Sequence, residues 1–378
     1  MSSLQTSSEI YKALGGLFQL ADQRYNSGLF HFKEEKGRFD APETFTLDLT
    51  IGNDPLRYIL KRLYYPDSPY AFRVIPVEIL GQVYEQFLGQ VIRLDTSRQV
   101  LIEAKPEVRK AGGVYYTPTY IVNYIVQHTV RTLVEGKTPK QVSDFRILDP
   151  ACGSGSFLLG AYSFLLEWHL HWYLANGSAK HKNKEIMQVD TETWRLTTKE
   201  RKRILLNNIY GVDIDTQAVE VTKLSLLLKV LEGETEQGAA YQIGFDRLLP
   251  DLGTNIKCGN SLIGPDFYNN NQASFLDEEE RYRVNVFDWQ AEFPQIMQVG
   301  GFDAVIGNPP YIFSRNQGIS TLDKNYFYSH YSYQSDQLNT FSIFVERCYG
   351  ILHSFGVLGF ITPNNWLTIS SFSPLRAR

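Results

Sequence analysis

Residues that could perform chemistry lie at the end of the stretch GGFDAVIGNPPYIF, Gly300 to Phe313. Pro309 and Pro310 have no N–H to give to a strand ladder, so the apolar strand pattern must end before them. The side-chain carbonyl of Asn308 and the backbone carbonyl of Pro309 would then be two stiffly held hydrogen-bond acceptors. Such a pair could localise the lone pair of an exocyclic base amine, which is otherwise delocalised into the ring. Tyr311 offers a face on which the base can stack.

A glycine-rich turn in ILDPACGSGSFLLGAY, Ile147 to Tyr162, is the second candidate site. Gly153 and Gly155 allow a ligand to approach the backbone, and free N–H groups at the start of the next helix form a cradle. A dinucleotide is disfavoured because Leu158 replaces the third glycine of the dinucleotide pattern and Asp149 would repel a pyrophosphate. An ammonium or sulfonium group would be attracted instead, unless Asp149 only caps the turn.

Polar residues also follow the next two predicted strands. NIYGVDID ends in Asp213 and Asp215. Asp213 is placed to bind both hydroxyls of a ribose, whereas Asp215 fits the cap of the following helix. In IKCGNSLIG, Asn260 fits an adenine contact and equally a turn residue.

The elements that must position these motifs alternate between short apolar strands and helices, which predicts an α/β fold with a parallel sheet. Strands are predicted at Arg146–Asp149, Ile209–Asp213, Ile256–Cys258, Asp303–Gly307 and Val357–Thr362. Helices are predicted at Phe157–Leu174, Thr216–Leu231 and about Asn339–His353. Two polar excursions, Asn176–Arg203 and about Asp266–Gln298, interrupt the alternation.

Residues 1–108 are predicted to form a helical domain and residues 109–378 the α/β domain. Helical spacing in PVEILGQVYEQFLGQVI, Pro76 to Ile92, supports the first of these. The Glu-x-Lys spacing of Ile102–Lys105, with Asp67 upstream, fits a metal-dependent nuclease, but such sites lie on a small mixed sheet and the preceding sequence is helical in pattern.

Composition limits the function classes. With 378 residues, 43% of them hydrophobic, the chain can bury two cores. Its three cysteines do not have the spacing of a zinc site. The sequence has no apolar run long enough to span a membrane, and its N-terminus does not have the pattern of a signal peptide, so a cytoplasmic protein is expected. A net charge of −4 weakens a nucleic-acid-binding function without excluding it, because local patches matter more than sums.

Taken together, these motifs make the sequence resemble the S-adenosylmethionine-dependent DNA adenine-N6 methyltransferases in which the cofactor motifs precede Asn-Pro-Pro-Tyr. The resemblance covers roughly Lys110 to Ser370. It is strongest to the methyltransferase part of the fused, type IIG restriction–modification enzymes, and type I modification subunits are also similar. It implies a Rossmann-like class I methyltransferase sheet and methyl transfer to adenine N6 in double-stranded DNA, within a restriction–modification system.

The resemblance also implies roles for individual residues. The motif GGVYYTPTYIVNYIV, Gly112 to Val126, matches the family's first cofactor element. Residues implied at or around the methionine end of the cofactor are Tyr116, Thr117, Pro118, Asp149, Ala151, Gly153 and Gly155. Asp213 is implied at the ribose, Asn260 at the adenine and Phe344 against the adenine ring, with core packing an equal alternative for Phe344. The implied catalytic residues are Asn308, Pro309, Pro310 and Tyr311, with no metal.

Other methyltransferases fit less well. A cytosine-C5 enzyme needs a Pro-Cys nucleophile that the sequence lacks, and cytosine-N4 enzymes usually carry Ser in place of Asn308. Glutamine methyltransferases acting on release factors share Asn-Pro-Pro-Tyr but lack the YYTP element, and they remain the alternative. The aromatic segment YFYSHYSY, Tyr326 to Tyr333, fits a loop that closes over the base and equally a surface loop.

The family sheet has seven strands, of which five are predicted here. The chain is therefore expected to be truncated, either half of an enzyme completed by a separate specificity or recognition chain, or an inactive remnant. The fifth strand, VLGFIT, would then be an apolar edge.

Overall fold

The computed structural model describes residues 7–25, 32, 45–63, 67, 79, 83, 90–95, 97, 99–104, 117–233, 249–269, 276–312, 319–332, 338–368 and 373–376. The chain divides into two compact units, Met1–Ile79 with Leu227–Gly253, and Leu80–Leu226 with Thr254–Arg378. The predicted division at residue 108 stays a prediction, because residues 105–116 lie outside the described part. No helix in the described ranges is long and apolar enough to cross a membrane.

The described N-terminal residues are helical, as predicted. The helices are α1 (Ile10–Tyr25), α2 (Phe45–Asp48) and α3 (Asn53–Leu63). Ile10 of α1 and Leu60 of α3 are buried in one apolar cluster. The side chain of Asn53 accepts a hydrogen bond from the N–H of Ile10 at 2.9 Å.

A β-hairpin follows where a helix was predicted to end. Strands β1 (Gln90–Leu94) and β2 (Val100–Ala104) pair antiparallel, with Ile92 opposite Ile102. The prediction of a helix through Ile92 is therefore wrong for its last three residues. Their apolar pattern fits the period of a strand as well as that of a helix, and pairing with β2 favours the strand. The rest of Pro76–Ile92 lies outside the described residues, apart from Ile79 and Val83. Lys105 also lies outside them, so the nuclease interpretation stays a prediction.

The five predicted strands form one parallel sheet, which confirms the α/β prediction. Their bounds are β3 (Ile147–Asp149), β6 (Ile209–Asp213), β7 (Ile256–Cys258), β8 (Phe302–Gly307) and β9 (Leu352–Phe360). Their order is β7-β6-β3-β8-β9. Strands β6 and β7, which follow β3 in the chain, lie on one side of it, and β8 and β9 lie on the other side. The crevice at the carboxyl ends of β3 and β8 is therefore a topological switch point, where open α/β sheets bind ligands.

Helices connect the strands and cover the sheet. Before β3 come α4 (Thr119–His128), α5 (Val130–Val134) and α6 (Pro139–Val142). The long connections are α7 (Ser156–Ala175), α10 (Thr216–Leu231) and α15 (Thr340–Ile351), close to the predicted bounds. Helix α7 is buried along much of its length, with Phe157, Leu158 and Leu165 in the core. A short helix α16 (Ser373–Arg376) follows β9 near the chain's end.

The two polar excursions also have structure. The first contains α8 (Ser178–His181), a hairpin of β4 (Ile186–Gln188) with β5 (Trp194–Leu196), and α9 (Thr198–Asn208). The second contains α11 (Glu278–Val284), α12 (Trp289–Glu292) and α13 (Pro294–Gln298).

The aromatic segment that begins at Tyr326 is helical rather than a loop over residues 326–330. Helix α14 (Thr321–His330) includes its first five residues. Tyr326, Phe327 and Tyr331 are buried in one apolar cluster, and the hydroxyl of Tyr331 donates to the carbonyl of Leu262 at 2.5 Å. The prediction of a loop is wrong there because burial of three rings favours a packed helix. Tyr333 lies outside the described residues.

Candidate active site

The ends of β3 and β8 meet at the switch point. Asp149, the last residue of β3, is 1% exposed. Gly307 ends β8, and a Cβ atom added there would lie 2.6 Å from Oδ1 of Asp149. Only a glycine permits this approach, which brings the carboxylate next to the residue that precedes Asn308.

The glycine turn is held from two sides. The N–H of Gly153 donates to Oδ2 of Asp213 at 2.8 Å, and the hydroxyl of Thr222 donates to the carbonyl of Gly153 at 2.7 Å. Gly155 caps α7 with a φ of 86°, a left-handed conformation that favours glycine. The turn and the end of β6 therefore form one connected unit.

The buried carboxylate of Asp149 and the partly buried one of Asp213 lie at this turn. Burial raises the pKa of Asp149 from 3.8 to about 8, opposed by a hydrogen bond from the N–H of Ala151, with a smaller upward contribution from the nearby Asp213. Burial also raises the pKa of Asp213, although its oxygens accept from the N–H groups of Gly153 and Asp215. Acids in such surroundings are suited to a cationic ligand, which would restore the charged forms.

The acid next to Asp213 has a different role. Oδ1 of Asp215 accepts from the N–H of Gln217 at 2.9 Å, at the start of α10. Asp215 therefore caps the helix, as its position in the sequence predicts.

Asn308 is hydrogen-bonded at both ends of its side-chain amide. Nδ2 donates to the hydroxyl oxygen of Thr117 at 3.2 Å, and Oδ1 accepts from the hydroxyl of Tyr311 at 2.6 Å. The Tyr311 hydroxyl also lies 2.5 Å from the carbonyl oxygen of Ile361, and its ring packs against the cluster of Phe341 and Leu375. The amide is therefore held at both ends.

Thr340 holds the turn that follows Asn308 and was not found from the sequence. Its hydroxyl donates to the carbonyl of Pro310 and accepts from the N–H of Ile312 at 2.8 Å. Its backbone N–H donates to the carbonyl of Ile312 at 3.1 Å. The only signal in the sequence was a helix start near Asn339, which gives no indication of a contact 28 residues away.

The first cofactor element is partly described. Tyr116 lies outside the described residues. In the sequence, Thr117 fits a helix cap and Pro118 the first helical position. Helix α4 instead begins at Thr119 with Pro118 as its cap residue, and the hydroxyl of Thr117 bonds to Asn308, so the expected start of the helix is wrong by one residue.

Asn260 and Phe344 show the arrangements that the sequence left as alternatives. Oδ1 of Asn260 accepts from the N–H of Leu262 at 3.1 Å, as in a turn. Phe344 is 5% exposed in an apolar cluster against which Ala151 packs. A contact of either residue with a cofactor stays a prediction.

Known proteins resemble this chain along most of its length. Residues 207–378 match the model of the Eco57I restriction-modification methylase family. Over 97% of its length the chain is 31% identical to the type II restriction enzyme and methyltransferase RM.Eco57I of Escherichia coli. Over 57% of its length it is 24% identical to the adenine-specific methyltransferase PglX of Streptomyces coelicolor. The chain is therefore a relative of the Eco57I-type restriction-modification methylases, and it spans 33% of the length of the E. coli protein.

A solved structure supports the fold. The type IIL restriction-modification enzyme MmeI, determined in complex with DNA, superposes on 94% of this chain with a TM-score of 0.52 at 13% identity. The match covers 42% of the MmeI chain. At this identity it shows a common fold, an α/β fold with a parallel sheet.

Proposed function

We propose that this relative of the Eco57I-type methylases is the methyl-transferring part of a site-specific DNA methyltransferase that modifies adenine N6. The observation that carries the proposal is the amide of Asn308, held at the switch point of the sheet, where the buried carboxylate of Asp149 adjoins Gly307. Its relatives are named adenine-specific methyltransferases and restriction–modification enzymes, which supports DNA rather than a protein glutamine as the substrate.

The proposed chemistry of Asn308 follows from its acceptors. Oδ1 of Asn308 and the backbone carbonyl of Pro309 would accept the two hydrogens of the adenine amine. Both acceptors are fixed before the base arrives, because Thr117 holds the amide and Thr340 holds the turn at Pro310. Preorganised acceptors need no reorganisation when charge develops on the amine nitrogen. The target base would leave the duplex to reach them and would stack on Tyr311.

The residues around the glycine turn fit S-adenosylmethionine, which when bound supplies a methyl group on a positively charged sulfur. Asp149 is buried, Asp213 is partly buried and both have raised pKa values, so a cationic ligand would stabilise their ionised forms. The proposed methionine side is formed by Thr117, Pro118, Asp149, Ala151, Gly153 and Gly155. Asp213 would bind the ribose, since each carboxylate oxygen keeps a lone pair beyond its backbone hydrogen bond. Asn260 and Phe344 would contact the adenine.

Double-stranded DNA is the proposed partner. MmeI, which has the same fold, was determined with DNA, and the E. coli relative is named a type II restriction enzyme and methyltransferase. A separate recognition chain is a further proposed partner, which would raise the affinity for DNA rather than supply methyl transfer.

Two acids at the end of β6 give a matched test of cofactor binding. Asp213→Ala should abolish binding of S-adenosylmethionine in calorimetry. Asp215→Ala removes a helix cap and a neighbouring negative charge but leaves the carboxylate of Asp213 in place, so it should still bind S-adenosylmethionine. Wild-type protein that is folded but does not bind would contradict the proposed cofactor.

Methyl transfer is tested separately. Unmethylated bacterial genomic DNA offers every short sequence, so N6-methyladenine should accumulate in it with wild-type protein and S-adenosylmethionine. Methylation of a glutamine-containing release factor, with none of DNA, would overturn the choice of substrate.

A further inference from the structure

Asn285 has a left-handed backbone conformation at the end of a helix. It caps α11, inside the second polar excursion, with a φ of 48°. Asn adopts this conformation more readily than most residues with a side chain, so what distinguishes Asn285 is the contacts of its side chain and its carbonyl.

Those contacts all lie at the ends of two strands of the central sheet. The backbone carbonyl of Asn285 accepts from the N–H of Asn260 at 2.6 Å. Its side-chain Nδ2 lies 3.3 Å from the carbonyl oxygen of Ile214 and 3.4 Å from Sγ of Cys258. One residue of the excursion therefore joins the segment after β6 to the segment after β7.

Neighbouring residues fasten the excursion to the same edge. Val286 forms a parallel bridge with Asn260, and the N–H of Phe287 donates to the carbonyl of Ile263 at 2.8 Å. A Cβ atom added at Gly259 would lie 2.5 Å from the ring of Phe287, so the two segments are in close contact. The excursion is packed against this edge rather than extended into solvent.

A large exposed ring stands at the same place. The hydroxyl of Tyr282 lies 3.4 Å from that of Thr216, the first residue of α10, and the residue is 74% exposed. Ile214, which follows Asp213, is 50% exposed. An exposed aromatic ring and an exposed aliphatic side chain are the surfaces between which a purine is bound.

We propose that the second excursion forms the adenine-side wall of the cofactor site. Asn285 is a positioning residue that fixes Asn260 and Ile214, and the ring of Tyr282 contacts the adenine. This inference rests on the proposed use of S-adenosylmethionine and assigns a segment that the motifs of the sequence leave without a role.

The structure offers a matched control for Asn285. Asn183 is the other described residue with a side chain and a left-handed φ, at 62°, and its N–H donates to Ile186 within the first excursion. Glycine at either position tolerates the left-handed φ and removes the side-chain amide. Of these two amides, that of Asn285 contacts the carbonyl of Ile214, which Sγ of Cys258 also approaches at 3.6 Å.

The test measures dissociation constants for S-adenosylmethionine and for its inosine analogue, in which hypoxanthine replaces adenine. Asn285→Gly should weaken S-adenosylmethionine binding about tenfold, from two lost hydrogen bonds, and weaken binding of the analogue less. Asn183→Gly should change neither. Tyr282→Ala should weaken both ligands, whereas Tyr282→Phe keeps the ring and should bind like the wild type.

The outcomes separate the inference from the proposed function. Equal loss of both ligands in Asn285→Gly would indicate a structural role, and unchanged binding would exclude any role at the site. Either result overturns the proposed wall while wild-type binding stands. Wild-type protein that binds neither ligand overturns the proposed cofactor together with the wall.

Discussion

Asn308 and Thr117 are joined by a hydrogen bond of 3.2 Å between residues 191 positions apart in the chain. The amide nitrogen of Asn308 donates to the hydroxyl oxygen of Thr117, which leaves the amide oxygen on the other side. The hydroxyl of Thr117 lies at one end of the amide and that of Tyr311 at the other, and each hydroxyl can serve as donor or acceptor. The element before α4 thus contributes one of the two hydrogen bonds that hold Asn308 at the switch point.

Replacing Thr117 with Val keeps its shape and removes the acceptor. The rate of methyl transfer should fall about tenfold, the effect of one hydrogen bond, because Asn308 loses one of the two hydrogen bonds that hold it. Thr117→Ser keeps the hydroxyl and should restore the rate. Single-turnover kinetics and calorimetry together separate this from cofactor binding, and a loss of affinity with an unchanged rate would assign Thr117 to the cofactor alone.

Asn308 itself should be needed for transfer and not for binding. Asn308→Ala removes one of the two acceptors proposed for the adenine amine, and loss of one preorganised group typically slows a reaction about 10²–10³-fold. The dissociation constant for S-adenosylmethionine should stay within about twofold of the wild type, since Asn308 is bonded to Thr117 and Tyr311 rather than to the glycine turn. Equal loss of rate and affinity would show that Asn308 is structural.

The strands of the central sheet could be predicted from the sequence because each is a short apolar run that ends in a glycine, an acid or a proline. The hairpin β1–β2 was missed, since the apolar residues of Gln90–Leu94 fit a helical period as well as an extended one. The roles of Thr340 and Asn285 could not be predicted. Their partners lie 28 and 71 residues away, and only the folded chain brings them together.

Asp149 should make stability depend on pH. Its pKa is raised from 3.8 to about 8, mainly by burial, so the folded protein binds more protons than the unfolded chain between these values. The stability present at low pH is therefore lost as the pH rises from about 4 through about 8. Asp149→Asn cannot ionise and keeps the acceptor for Ala151, so its stability should exceed that of the wild type by a small margin at pH 5 and by a larger one at pH 7 and 9.

Urea unfolding at pH 5, 7 and 9 checks this prediction. A free energy of unfolding that changes equally with pH in the two proteins would contradict it. The proton that Asp149 binds in the folded protein should be released when a cationic ligand binds. Affinity for S-adenosylmethionine should therefore rise with pH up to about 8 in the wild type.

The glycine turn gives a prediction about packing. Gly155 has a φ of 86°, and a Cβ atom there would lie 2.9 Å from Cγ2 of Thr222. Gly153 has a φ of 53°, and a Cβ atom there would have no neighbour within 4 Å. Gly153→Ala should cost about 1 kcal/mol from backbone strain, and Gly155→Ala about 2–4 kcal/mol, because a clash is added. Equal midpoints in denaturant would show that Thr222 moves aside.

Tyr311 should matter through its ring rather than its hydroxyl. The hydroxyl occupies Oδ1 of Asn308 at 2.6 Å, the atom proposed to accept from the adenine amine. Burial raises its pKa to about 12, so it stays a protonated donor at neutral pH and competes with the substrate. Tyr311→Phe removes this competition, and the stacking face is kept. The rate of transfer should therefore be equal to that of the wild type or up to about fivefold higher, as expected for loss of one modest hydrogen bond.

Tyr311→Ala provides the contrast, because it removes the face on which the base stacks. Stacking of a base on an aromatic ring contributes about 1–3 kcal/mol, so transfer should fall about 10- to 100-fold. The fluorescence of 2-aminopurine at the target position reports whether the base is extruded and does not depend on methyl transfer. A Phe variant as impaired as the Ala variant would mean that the hydroxyl bridge from Asn308 to the carbonyl of Ile361 belongs to the working site and is not displaced by the base.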